Sequence, residues 1–157
     1  MRILGIDPGF ERLGIAVLEK TSGKECVIFS ECFKTSAKLE FADRLVLIGE
    51  EVRNVIKKFK PEILAIETLF LNTNQKTVMN VAEARGVVVY EASRAELQIC
   101  EFSPPQIKLA TTGHGHADKT QINKMVKMLV EIKNNINSDD ELDAIAVALT
   151  AFAHKKF

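Results

Sequence analysis

Acidic residues at the ends of apolar stretches are the part of this sequence best suited to chemistry. Asp7 closes Ile3-Leu4-Gly5-Ile6, Glu67 closes Ile63-Leu64-Ala65-Ile66, and Asp139, Asp140, Glu141 and Asp143 stand at the head of the apolar segment that runs to Phe152. Hard divalent cations take oxygen ligands, and two such ions can clamp the attacking and leaving oxygens of an in-line phosphoryl displacement. Converging carboxylates would build that clamp. Asp140 and Asp143 project from one helical face at i,i+3, but Asp139 and Asp143 at i,i+4 do so equally well, and spacing does not choose between them. Each acid also has a plain structural use, because Asp before Pro8-Gly9 is ordinary turn chemistry and acids in a first helical turn answer the macrodipole. That use explains Asp7 and Glu67 together less well, since an acid directly after a buried strand stands at the sheet edge where α/β proteins place their sites.

The elements that must position these acids follow from periodicity and turn signals. Ile3 to Ile6 and Leu13 to Leu18 flank the turn Asp7-Pro8-Gly9-Phe10-Glu11, and Thr21 to Lys24 makes a second turn before Val27-Ile28-Phe29 and Cys32-Phe33. Short connections of this kind predict an antiparallel meander. Leu45, Ile48, Val52, Val55, Ile56 and Phe59 then recur at helical spacing up to Lys57-Lys58 and the stop at Pro61. The continuous run 63–66 reads as a buried strand, 75–95 as a helix, 97–102 as a strand, and Pro104-Pro105 as a helix start. Asp118 with Gln121, and Ser138 with Glu141, have capping-box spacing ahead of the stripes Ile122, Met125, Val126, Leu129 and Leu142, Ile145, Ala146, Leu149, Phe152. Strands first and then alternating helices and strands predict an α/β fold, a mixed five-stranded sheet flanked by helices.

Length and composition bound the rest. At 157 residues, 46% hydrophobic and 27% charged, the chain reads as a single domain over 1–157, large enough to need neither disulfide nor structural metal. No stretch approaches a bilayer span and a charge follows too soon for a signal-peptide core, so a soluble, cytoplasmic protein with no membrane partner is expected. Cys26, Cys32 and Cys100 form no C-x-x-C pair and read as buried thiols. Lys and Arg total 21 against 21 Asp and Glu, so any nucleic-acid binding must rest on local patches.

Some cations are placed suggestively. Lys119 falls at the first position of a capped helix, where its charge opposes the macrodipole, which favours a phosphate role over a structural one. Lys124 and Lys127 lie opposite an apolar stripe and could track a strand backbone, although a charged helix face is commonly just solvated. Arg85 could meet phosphate or a nearby acid such as Glu83. His114 and His116 alternate with glycine, a spacing able to bind a transition metal only if a third ligand converges, and an approach to phosphate is the reading preferred for them.

Several blocks taken together resemble one family. Gly5-Ile6-Asp7-Pro8-Gly9, Ala65-Ile66-Glu67-Thr68-Leu69-Phe70, Asn74, Ala84-Arg85-Gly86, Gln106-Ile107-Lys108, the stretch from Gly113 to Lys119, and Asp140-x-x-Asp143-Ala144 occur in order over essentially the whole chain. This arrangement resembles the RuvC-type Holliday-junction resolvases of bacteria. The resemblance implies a ribonuclease-H-like fold, a homodimer, and paired symmetric nicking of four-way junction DNA in recombination and repair, leaving 5′-phosphate and 3′-hydroxyl ends. It implies Asp7, Glu67, Asp140 and Asp143 as catalytic acids holding two Mg²⁺ per subunit, with Mn²⁺ able to substitute, and Lys119 acting beside them. It further implies DNA contacts from Phe70, stacking on an unpaired base, and from Asn74, Arg85, Lys108 and Lys119, which Lys124 joins by its place on the helix face, with the RuvA–RuvB branch-migration complex as partner. The histidines at 114 and 116 depart from the small or apolar residues usual in that loop. The rival readings are another ribonuclease-H-like nuclease, of the kind linked to ribosomal RNA processing, and a junction-binding module without activity.

Overall fold

The computed structural model describes residues 1–21, 23–69, 75–132 and 135–154. Three strands, β1 (Arg2–Asp7), β2 (Arg12–Thr21) and β3 (Lys24–Lys34), form the expected antiparallel meander. The helix α1 (Phe41–Phe59) follows and stops where Lys60 turns left-handed, its N–H bonded to the Ile56 carbonyl at 2.8 Å just before Pro61. Then come β4 (Ile63–Glu67), α2 (Gln75–Arg94), β5 (Gln98–Phe102), α3 (Pro104–Thr112), α4 (Lys119–Leu129), β6 (Glu131–Ile132) and α5 (Asp139–His154).

The strands order as β5-β4-β1-β2-β3-β6, with β4 parallel to both β1 and β5. This is the mixed sheet of the ribonuclease-H-like class, with one correction to the expected strand number. The two-residue β6 pairs in parallel with Cys26 and Val27 of β3 and makes six strands instead of five. Two residues carry no period for a sequence pattern to reveal, and their pairing is entirely long-range.

Both faces of the sheet are covered, which explains why β1 and β4 read as unbroken apolar runs. Leu4, Ile6, Ile15, Val17, Leu64 and Ile66 pack under α1 and α2 with Ile48, Val52, Ala84 and Val88. Ile3, Ala16, Leu18, Ile63 and Ala65 pack on the other face with Ile122, Val126, Ile145 and Ala148. Full burial of one such large aliphatic side chain contributes about 1.5–3 kcal/mol.

The second layer is unusually close to the sheet. A Cβ on Gly5 would lie 2.2 Å from the Ala144 carbonyl oxygen and 2.7 Å from Ala148 Cβ, and one on Gly14 would lie 2.2 Å from the Asp140 carbonyl oxygen. Glycine at these two adjacent-strand positions, facing the alanines of α5, lets that helix rest on β1 and β2 almost without intervening side chains. The start of α5 is thereby held against the end of β1. The cysteines, expected buried, are all half-buried and free, because β3 and β5 lie toward the sheet margins. Among the described residues, no helix is long and apolar enough to cross a membrane.

Candidate active site

Strand pairing brings the first two acids together. Ile6 lies opposite Ile66 in the parallel β1/β4 ladder, so Asp7 and Glu67 leave adjacent strands at the same level. Asp7 also faces Gly14 across the hairpin, and the Asp140 backbone sits over Gly14. The helix α5 therefore delivers its first-turn acids to the spot where β1 and β4 end.

The four acids along that helix start separate by role. Ser138 Oγ accepts the Glu141 N–H at 3.3 Å, while the buried Glu141 carboxylate accepts the Asn137 N–H at 3.1 Å and the Ser30 hydroxyl at 2.6 Å. Glu141 is thus a cap, turned away from the other acids. Asp139 is exposed and meets Lys119 and Asn123. Asp140 and Asp143 face inward, with side chains 22% and 29% exposed.

Their electrostatics show a shared, under-compensated negative charge. Burial pushes the Asp7 carboxyl from 3.8 up to about 8, and the charges of Asp143, Glu67 and Asp140 add to the push while Lys119 opposes it. Glu67 is raised by burial and then by Asp143, with Lys108 easing the rise. Asp143 is raised by burial despite the Lys119 ammonium at 3.0 Å. Asp140 alone is held low: burial raises it, but hydrogen bonds from Arg12 and Cys32 outweigh that. Asp140 adds to the Asp7 rise, whereas both Asp139 and Asp140 add to the rise at Asp143.

Lys119 and Lys108 both open onto a cavity of about 220 Å³ lined by Glu67, Asp143, Pro104, Ile107 and Ile122. Asp118 and Gln121 bond reciprocally, N–H to side-chain oxygen, at 2.9 Å in each direction, and this box orients the first turn of α4 and the lysine it carries. The lysine was expected to gain nothing structurally at that position, but it gains the ion pair to Asp143 and a longer one of 3.6 Å to Asp139.

Other expected contacts lie elsewhere. Arg85 turns inward: its Nε donates to the Glu67 carbonyl at 3.1 Å, and its Nη2 stands 2.9 Å from the Glu101 carboxylate, an ion pair without hydrogen-bond alignment. That contact supports the strand end under Glu67 and leaves the arginine little exposed for DNA. Lys124 lies in a separate depression with Thr112, His114, His116, Gln121, Met125 and Met128. The two histidine rings stand 6.5 Å apart, and no third metal-binding side chain joins them among the described residues. Phe70 and Asn74 lie outside the described residues.

The structure adds two groups that the sequence reading passed over. Arg12 donates from Nε at 3.0 Å and from Nη2 to one oxygen of Asp140, and the Cys32 thiol donates to the same oxygen at 3.4 Å. The hairpin signal already put Arg12 close to Asp7. Its partner, 128 residues later in the chain, could not be read from local pattern.

The donors suit a hard divalent cation in kind, being oxygen only, and in charge, since Asp7, Glu67 and Asp143 all stand above their ordinary values. In their present rotamers they form an open cluster. Among the described residues, no three His, Cys, Asp or Glu side chains are gathered closely enough to hold an ion.

Known proteins resemble this chain in sequence and fold. The family profile "Crossover junction endodeoxyribonuclease RuvC" matches residues 3–151. The protein of that name from Thermosipho melanesiensis is 42% identical over 157 residues, all of this chain and all of its own. The one from Halothermothrix orenii is 42% identical over 149 residues, covering 95% of this chain and 90% of its own. Among solved structures, T. thermophilus RuvC in complex with Holliday junction substrate superposes with a TM-score of 0.89 at 33% identity, covering 96% of this chain and 92% of that one.

Proposed function

The chain belongs to the crossover junction endodeoxyribonuclease RuvC family, and from that premise we propose that it resolves four-way DNA junctions at the cluster Asp7, Glu67, Asp140 and Asp143. The observation that carries this reading is the meeting of the ends of β1 and β4 with the start of α5, where burial and the other three acids raise the Asp7 carboxyl to about 8. A buried set of like charges destabilises the fold that contains it unless a proton or another cation is taken up, and perturbed carboxylates at one sheet edge are typical of functional sites.

Asp7, Glu67, Asp140 and Asp143 would hold Mg²⁺, two ions per subunit, with Mn²⁺ as a substitute. When bound, such ions would supply Lewis acidity for the activation of water toward phosphorus and for neutralising the charge of the departing 3′-oxygen. The rest is the work of the chain's own groups. Lys119, tied to Asp143, presents a positive charge at the cavity edge, where it can meet a non-bridging phosphate oxygen. Lys108 lowers the charge cost at Glu67 from the opposite wall. Arg85 holds the Glu67 main chain, so the carboxylate starts from a fixed position. Cleavage leaves a 5′-phosphate and a 3′-hydroxyl.

Symmetric paired nicks require two such sites. The outer face of α2 carries Met79 and Tyr90, 60% and 59% exposed, with Gly86 between them at helical spacing, and this face suits packing against a second copy. We further assign Phe70 to base stacking at the crossover and Asn74 to DNA contact, with the RuvA–RuvB complex as partner and the cytoplasm as location, on the family likeness, and Lys124 to DNA contact by its place on the helix face.

The test is incubation of the protein in Mg²⁺ with a synthetic mobile four-way junction, a linear duplex and an RNA hairpin. Paired nicks confined to the junction, and lost in Glu67→Gln, are the expected outcome. Cutting of the RNA hairpin would favour the ribosomal-RNA type of nuclease, and junction binding without cutting would mark an inactive module.

A further inference from the structure

Arg12 heads β2 on the outer lip of the acid cluster, and its partner there is one of the four acids. Nε, Nη2 and the Cys32 thiol all donate to Oδ2 of Asp140. A carboxylate oxygen offers about two lone-pair sites, so these three donors saturate Oδ2. Asp140 therefore stands in the DNA-free chain with its charge answered and with one oxygen fully engaged from outside the cluster.

The pair is built to be exchanged. Arg12 is 52% exposed, and ion pairs with a solvated partner are weak and screened by salt. Both guanidinium nitrogens converge on a single oxygen, which leaves the planar fork of the arginine unmatched. A phosphodiester presents two non-bridging oxygens at the spacing that fork prefers. On its open side Arg12 lines a shallow groove with Lys127, Asn137, Ser138 and Asp139. Lys127 adds a second positive charge to this groove, while Asp139 opposes an anion and is itself partly answered by Lys119.

We propose that Arg12 is an exchangeable guard of Asp140, pairing with it in the DNA-free chain and moving to a backbone phosphate of the bound strand, which frees Oδ2 for a divalent cation. The inference rests on the reading of the four acids as metal-holding. It makes metal loading and DNA binding mutually reinforcing through this one side chain, as linkage requires. Metal is then gathered mainly where a strand is already in place.

The experiment measures binding and not cutting. Mn²⁺ affinity of the DNA-free protein is determined by calorimetry for wild type, Arg12→Gln, Arg12→Lys, Lys127→Gln, Asp7→Asn and Asp140→Asn. Junction affinity is determined in EDTA across a salt series for the first four. Arg12→Gln should bind Mn²⁺ about threefold or more tightly than wild type, because the competing guanidinium is gone. It should bind the junction more weakly, with the slope of log affinity against log salt smaller by about one. Lys127→Gln removes the same charge from the same groove without a contact to Asp140, and its Mn²⁺ affinity should stay within about twofold of wild type. Arg12→Lys, which keeps charge and loses the fork, should fall between wild type and Arg12→Gln in both measurements. Unchanged or weaker Mn²⁺ binding in Arg12→Gln, an equal gain in Lys127→Gln, or an unchanged junction slope in Arg12→Gln would each overturn the guard. If Asp7→Asn and Asp140→Asn bind Mn²⁺ as wild type does, the metal reading itself fails, which separates that failure from loss of the guard alone.

Discussion

The Nε of Arg85 on α2 donates to the main-chain carbonyl of Glu67 at 3.1 Å, so the arginine of the Ala-Arg-Gly block holds the end of β4 by its backbone. The next residue is held from the other side, since Thr68 donates its N–H to the Phe102 carbonyl of β5 at 2.9 Å. An acid at the very end of a strand would otherwise lie on a freely rotating link, and misplacement by about 1 Å can cost about a hundredfold in rate.

Arg85→Ala should therefore slow junction nicking about tenfold or more while leaving junction affinity in Ca²⁺ within about threefold and the salt slope unchanged. A phosphate-contacting arginine would give the reverse pattern. Gel-shift titration beside single-turnover cleavage distinguishes the two.

Asp7 should make the metal-free protein less stable as pH rises. Its folded value of about 8 lies above its ordinary 3.8, so its contribution is fully present below the lower value and is lost as pH rises through the higher one. Glu67 and Asp143 act in the same direction, and Asp140, held low, acts in the opposite one. In EDTA the melting temperature should fall between about pH 5 and about pH 9, and Asp7→Asn should flatten that fall and melt higher than wild type at about pH 8.5. Added Mg²⁺ should raise the wild-type melting temperature more at the alkaline end. A less stable Asp7→Asn at that pH would contradict the cluster electrostatics.

The two neighbouring aspartates should differ sharply. Asp140→Asn removes a charge that acts on Asp7 and should abolish measurable nicking. Asp139→Asn removes an exposed partner of Lys119 and should change the rate less than about tenfold. Equal losses, or the reverse order, in single-turnover cleavage would move the metal site by one residue.

Lys119→Ala should lower the cleavage rate far more than the melting temperature, because a lysine 55% exposed adds only about 0–1 kcal/mol through its ion pairs. Lys119→Arg should recover part of the rate, since it keeps the charge at the cavity edge. Wild-type cleavage in the alanine protein would reduce Lys119 to a surface partner of Asp143.

Gly14→Ala tests the close approach of α5. The added methyl would stand 2.2 Å from the Asp140 carbonyl oxygen, and overpacking of this kind typically costs about 1–3 kcal/mol. Both melting temperature and cleavage should drop, the latter more, because the helix carrying Asp140 and Asp143 must move away from Asp7. Unaltered Mn²⁺ affinity would show that the seat of the helix does not govern the site.

What could be read from the chain itself was whatever depends on neighbours a few residues apart. Helical stripes such as Ile122 to Leu129, the capping box of Asp118 with Gln121, the turn at Asp7-Pro8-Gly9 and the buried runs ending in Asp7 and Glu67 are consequences of backbone period and local hydrogen bonding, and each stands in the structure where the pattern put it. The order of the motif blocks brought the family likeness with it. The tertiary structure decided the relations between distant segments: the sixth strand, the inward turn of Arg85 onto Glu67, the bond from Ser30 to Glu141, and the ring of partners around Asp140. Asp139 and Asp140 have the same charge and almost the same position on a helix, so no local rule separates them. The close seat of α5 on Gly5 and Gly14 fixes that helix against the sheet, and there Asp140 is half-buried against Arg12 and Cys32 while Asp139 is exposed beside Lys119 and Asn123.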